Sequence, residues 1–131
     1  MDTLGLVLGV LVTEANITER DGAEWLLNAV SDRFPRLTLV WVDGGFSGED
    51  FAARIQRQCG LTIEVVKRPD HATGFVLLPR RWVVERTFAW FGNYRRLSKD
   101  YEYSVYSADT TIFAAMTHLM LRRLARHKAS P

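Results

Sequence analysis

Two short apolar runs with helical spacing between them limit what this chain can fold into. Residues 37–42 read LTLVWV and residues 61–67 read LTIEVVK, and both are rich in β-branched side chains. Between them, residues 48–58 carry Phe51 and Ile55 four apart, and Gly60 stands where a helix C-cap would fall. A strand, a helix and a strand in that order call for a parallel pair joined by a crossover helix. The first strand stops abruptly at Asp43-Gly44-Gly45. A buried strand that ends in an acid and two glycines is the pattern of a functional strand end in an open α/β sheet.

The rest of the chain extends the alternation. Residues 3–13 are small, apolar and β-branched, and predict a strand buried on both faces. Asp21 is a plausible N-cap for a helix over about 22–34, with Glu24 in the capping-box position and Trp25, Leu26, Ala29 and Val30 as its apolar stripe. Residues 68–78 read as an irregular linker. A long helix is expected from Arg80 to about Arg96, and an amphipathic one over about 109–127 with Ile112, Met116, Leu119 and Met120 inward. The order β-α-β-α-β-α-α predicts an α/β fold with a sheet that is at least partly parallel.

Charge is divided along the chain. Residues 1–66 hold five Lys/Arg against ten Asp/Glu, and residues 67–131 hold twelve against five. A basic half of this kind suits a nucleic-acid partner, although a solvated basic surface has the same composition. No apolar run reaches the roughly 18–20 residues a bilayer requires, so no membrane partner is expected. The single Cys59 cannot form an internal disulfide, and a reducing, cytoplasmic setting is the default expectation. Cys59, His71, His118 and His127 have no zinc-ligand spacing. Neither Ser47 nor Cys59 has a recognisable histidine partner for nucleophilic catalysis.

The most informative segment is LPRRWVVERTFAWFGNYRRLSKDYE, residues 78–102. At about 100° per residue, Val83, Val84, Thr87, Phe88, Trp90, Phe91, Tyr94 and Leu97 share one broad arc. Arg81, Glu85, Gly92 and Arg96 superimpose on the opposite side. That face reads either as an i,i+4 surface pair of Arg81 and Glu85 or as a functional stripe with one carboxylate among arginines. The functional reading needs a second acid, and Asp43 is the candidate, against the alternative of a plain Asp-Gly turn. Two carboxylates from different elements bind Mg²⁺ or Mn²⁺ through oxygen, and paired ions of this kind serve phosphoryl transfer. Lys67, Arg68, Arg80, Arg81, Arg95 and Arg96 flank the region as candidate DNA-phosphate contacts.

Three strings, DTLGLVLGVLVTEANITERDGA, WVDGGFSGEDF and LPRRWVVERTFAWFGNYRRLSKDYE, resemble DDE transposases of the insertion-sequence-five type, from Asp2 to about Arg123. The resemblance implies a ribonuclease-H-like fold, with the whole chain forming the C-terminal portion of one catalytic domain (a core of about 2–100 and a helix of about 109–127). It implies that Asp43 is the second acid and Glu85 the third, both binding a two-metal Mg²⁺ or Mn²⁺ site. Asp2 corresponds to a turn, so the first strand, most of the second and the first catalytic acid are expected to lie outside this chain. The related superfamily pattern has a tyrosine where Leu78 stands and a lysine where Gly92 stands, and those two roles do not carry over.

The activity implied is metal-dependent cleavage at insertion-sequence ends followed by strand transfer. The implied partners are duplex DNA, an upstream transposase segment or product, and a second copy in an active dimer. Localisation would be cytoplasmic, at the nucleoid. The alternatives are a truncated, inactive remnant that at most binds DNA, and a nuclease of the same fold.

Overall fold

A computed structural model describes residues 1–66, 79–99, 102 and 104–128, with the backbone alone at 79–81, 127 and 128. Lys67, Arg68 and the anticipated linker over 68–78 lie outside the described residues, as do the side chains of Arg80 and Arg81. The residues group into two compact units, one of Thr13–Val83 and one of Met1–Val12 with Val84–Pro131. Each has an interior of its own.

In the unit of Thr13–Val83, helix α1 (Glu19–Arg33) is followed by β1 (Leu39–Val42), α2 (Glu49–Cys59) and β2 (Thr62–Val65). The strands pair in parallel, from Leu39 opposite Thr62 to Val42 opposite Val65. This is the crossover pair expected from the two apolar runs. Gly48 precedes α2 at φ 124°, and Gly60 closes it in the left-handed conformation at φ 68°, a geometry glycine adopts without a Cβ penalty. Phe51, Ile55 and Leu61 form the buried centre, with Ala23, Leu27, Leu37, Val40, Phe46, Cys59 and Ile63 packed around it.

Helix α1 differs from expectation at its start and on its inward face. Its N-cap is Thr18, whose hydroxyl accepts from the Asp21 amide, so Asp21 sits inside the first turn rather than at the cap. Glu24 is not a capping residue. Its carboxylate pairs with Arg54 at 3.1 Å and accepts from Gln58 at 2.7 Å, both on α2. These bonds, with the Cys59 thiol donating to Asn28 at 3.3 Å, direct Ala23 and Leu27 at the core and leave Trp25 52% exposed.

The other unit holds the largest correction. Residues 3–13 form no strand. Asp2 begins a turn in which one carboxylate oxygen accepts from the amides of Leu4 (2.9 Å) and Leu6 (2.8 Å). The carbonyl of Leu4 receives Arg86, that of Gly5 receives the Thr87 hydroxyl, and the Val12 amide donates to Asp109. The groups that a ladder would use are thus taken by side chains of the helices. α3 (Pro79–Gly92) ends four residues before the expected Arg96. Asn93 and Tyr94 bond back three residues, to Trp90 and Phe91, which tightens and closes the helix at a Gly-Asn pair of poor helix formers. A 3-10 turn (Arg95–Leu97) follows, and then α4 (Val105–Lys128). Thr87, Ala115 and Met116 are buried here, whereas Met120 is 36% exposed. No described helix is long and apolar enough to cross a membrane.

Gly5 sits at φ +80°, and a Cβ there would stand 2.7 Å from the Thr87 hydroxyl and 3.1 Å from the Trp90 ring. Gly5→Ala combines a left-handed backbone with overpacking, and should lower stability by about 2–4 kcal/mol. The check is the denaturation midpoint of the variant against that of the parent chain.

Candidate metal and DNA site

Asp43 stands at the C-terminal end of β1 and caps a 3-10 turn over Gly44–Phe46. One carboxylate oxygen accepts from the Gly45 amide at 3.0 Å. The other has no hydrogen-bond partner among the described residues, and the side chain is exposed. The loop beneath it is held from two directions. Arg20, in the first turn of α1, donates to the carbonyls of Gly45 (3.1 Å) and Ser47 (2.7 Å). Phe46 packs its ring 5.6 Å from that of buried Phe51. An exposed carboxylate with one open oxygen on a pinned loop suits a hard divalent cation, which takes oxygen ligands.

Glu85 is exposed on α3. It belongs to the other unit. Among the described residues, no group of three or more His, Cys, Asp or Glu comes together as a metal cluster. Asp2, the third acid near a matched string, has an oxygen committed to the amides of Leu4 and Leu6. It is a turn-forming residue, as its Asp-Thr-Leu-Gly context suggests.

Arg95 and Arg96 form a 3-10 turn against α4, beside a cavity of about 300 Å³ lined by Tyr94, Arg95, Arg96, Thr111, Ala114 and Ala115. Their settings differ. Arg95 is exposed and has no side-chain partner among the described residues. Arg96 reaches the Glu102 carboxylate at 2.7 Å, with side-chain exposures of 68% and 5% respectively. Glu102 also accepts from the Ser107 and Thr111 hydroxyls on α4. Tyr94 and His118 complete this side, with the hydroxyl 2.9 Å from Nδ1 and the rings edge-on.

The sequence did not mark Arg20 or Glu102 for these roles. Arg20 acts on carbonyls more than twenty residues away, and no local pattern announces such a contact. Glu102 left a faint signal, an acid ahead of a helix start rich in Ser and Thr.

With this geometry in hand, the relationships of the chain are clear. Residues 1–120 match the family described as the transposase DDE domain. A Burkholderia cepacia protein assigned as a transposase for insertion sequence element IS402 is 31% identical over 109 residues, 77% of this chain and 50% of that protein. The chain therefore spans about half the length of this curated relative. No solved structure matches it. The chain belongs to the DDE transposase family.

The Ser107 hydroxyl bond, and then the charge of Arg96, hold the Glu102 carboxyl below its ordinary range against the opposing effect of desolvation. A depressed carboxyl contributes its stability in full above the ordinary glutamate value of about 4.3. That contribution is lost as pH falls through the lower, folded value. Glu102→Gln should therefore reduce stability at neutral pH and flatten the acid limb of the stability profile below the ordinary glutamate range. Urea midpoints measured across that range test the expectation.

Proposed function

We propose that this chain supplies Asp43 and Glu85 as two of the three carboxylates of a transposase that cleaves and joins DNA at insertion-sequence ends. The observation that carries the reading is the position of Asp43. In a chain of the DDE family, an acid with one open oxygen stands at the end of β1 in a parallel strand–helix–strand unit. A ribonuclease-H-like arrangement of one catalytic domain is the fold in which such an acid would meet Glu85. A third acid completes the set, and the family resemblance puts Asp2 at a turn rather than among the acids of the site, in keeping with its bonds to the Leu4 and Leu6 amides.

Asp43 and Glu85 would hold Mg²⁺ or Mn²⁺, which supply positive charge to phosphate oxygens when bound. The work of this chain's own residues is positional. Arg20 and Phe46 keep the Asp43 loop in place before any ion arrives, so little ordering remains at binding. Arg95 has its donors available for a DNA phosphate. Arg96 is partly neutralised by Glu102 and contributes less to DNA than an open arginine would. Lys67, Arg68, Arg80 and Arg81 remain candidates for the same backbone. A dimer on paired DNA ends and a place at the nucleoid accompany the reading.

The test uses this chain, together with a separately supplied segment carrying the first acid where one is needed, with Mg²⁺ or Mn²⁺ and insertion-end DNA. Asp43→Asn and Glu85→Gln should each abolish cleavage while leaving duplex affinity in place. Full cleavage by both variants would refute the site, and cleavage with no joining under any condition would reassign the protein as a nuclease.

A further inference from the structure

The side of α4 that faces the interior turns basic over its last two turns. Ala115, Met116 and Leu119 are buried or partly buried. Continuing at about 100° per residue, Arg122, Arg123 and Arg126 carry the same side beyond the end of the apolar interior. Arg122 and Arg126 are exposed, and neither has a side-chain partner among the described residues. Arg123 is half-buried, with its guanidinium carbon 4.2 Å from the centroid of the Trp90 ring. It makes no hydrogen bond or ion pair among the described residues.

Helix polarity accounts for only part of this. Cations are favoured near a helix C-terminus, but the effect fades within the last turn, and Arg122 stands six residues before Lys128. Arg122 and Arg126 are also an i,i+4 pair of like charge, which opposes helix formation. Three arginines at neighbouring positions on one side of the helix, with no acid on that side of its last two turns among the described residues, are suited to an external anion.

Trp90 gives one of them a fixed place. The indole is set by the close approach of Gly5 and carries two guanidiniums, Arg123 at 4.2 Å and Arg86 at 5.0 Å. Arg86 already donates to the Leu4 carbonyl, whereas no donor of Arg123 is taken by a described residue. A guanidinium stacked on an aromatic ring keeps its fork of donors preorganised for phosphate.

We propose that Arg122, Arg123 and Arg126, with Trp90 as the platform for Arg123, form a docking surface for the phosphate backbone of duplex DNA. It uses none of the residues assigned above to metal or DNA, Asp43, Glu85, Arg95 and Arg96. The contact is to phosphates, and so reads charge and spacing rather than sequence. It adds to the functional reading above without depending on which acids bind metal.

The experiment measures affinity of the whole chain for a random-sequence DNA duplex over a range of salt. Each phosphate contact contributes about 0.9 to the slope of log affinity against log salt. The variant Arg122→Ala/Arg123→Ala/Arg126→Ala should therefore flatten the slope by about 2.7. All three positions are on the helix surface or its margin, and circular dichroism verifies that the fold is retained. A control that removes equal charge elsewhere, Arg33→Ala/Arg36→Ala/Arg57→Ala, should leave the slope near that of the parent. Arg123→Ala alone, which leaves the Trp90 interior intact, should flatten it by about one contact.

An unchanged slope in the first variant, an equal drop in the control, or tighter binding to an RNA duplex than to DNA would each overturn the proposal. Asp43→Asn and Glu85→Gln test the acid assignment separately, through cleavage. Failure of those substitutions to affect cleavage would refute the acid assignment without touching this surface.

Discussion

The unit built on α3 and α4 depends on one close approach, the backbone of Gly5 against the buried face of α3. The Thr87 hydroxyl, fully buried, donates to the Gly5 carbonyl at 2.8 Å. That bond gives a buried hydroxyl a hydrogen-bond partner across to the chain's first turn. Only glycine permits the distance, since a Cβ would collide with Thr87 and crowd Trp90. The same contact orients the indole on which Arg86 and Arg123 lie. A single residue near the start of the chain thereby determines where the charge at the far end of α4 is presented.

The two arginines of the 3-10 turn illustrate how environment separates identical side chains. Arg96 is drawn to a nearly buried carboxylate that also gathers two hydroxyls from α4. It joins the turn to the helix, and its charge is largely answered within the protein. Arg95, one residue earlier, has no side-chain partner among the described residues. A sequence pattern that counts basic pairs treats the two as equivalent. The structure assigns one to cohesion and leaves the other available.

Where local chemistry decided the outcome, the sequence was a good guide. The parallel pair, the α2 boundaries and the left-handed Gly60 follow from β-branched runs, the Phe51–Ile55 spacing and a glycine stop. The turn role of Asp2 was equally legible. Where a partner distant in sequence decided, it was not. Residues 3–13 have strand composition, yet their backbone groups are claimed by Arg86, Thr87 and Asp109. Trp25 lies on the anticipated apolar stripe, yet Glu24 and Asn28 orient α1 by reaching across to α2. For the site, residue type and strand-end position singled out Asp43. The partners that steady its loop carry no local signal.

The Arg20 clamp has a thermodynamic meaning. The two carbonyls it holds belong to residues 45 and 47, so closing the contact means closing a loop of more than twenty residues. Loop closure is entropically unfavourable until other contacts reward it. The acid-bearing turn has local supports in the Asp43–Gly45 bond and the Phe46–Phe51 contact, and the Arg20 bonds are the part its own sequence cannot supply. Those bonds require α1 to be packed beside the loop, so the full rigidity of the turn depends on the assembled unit rather than on β1 alone.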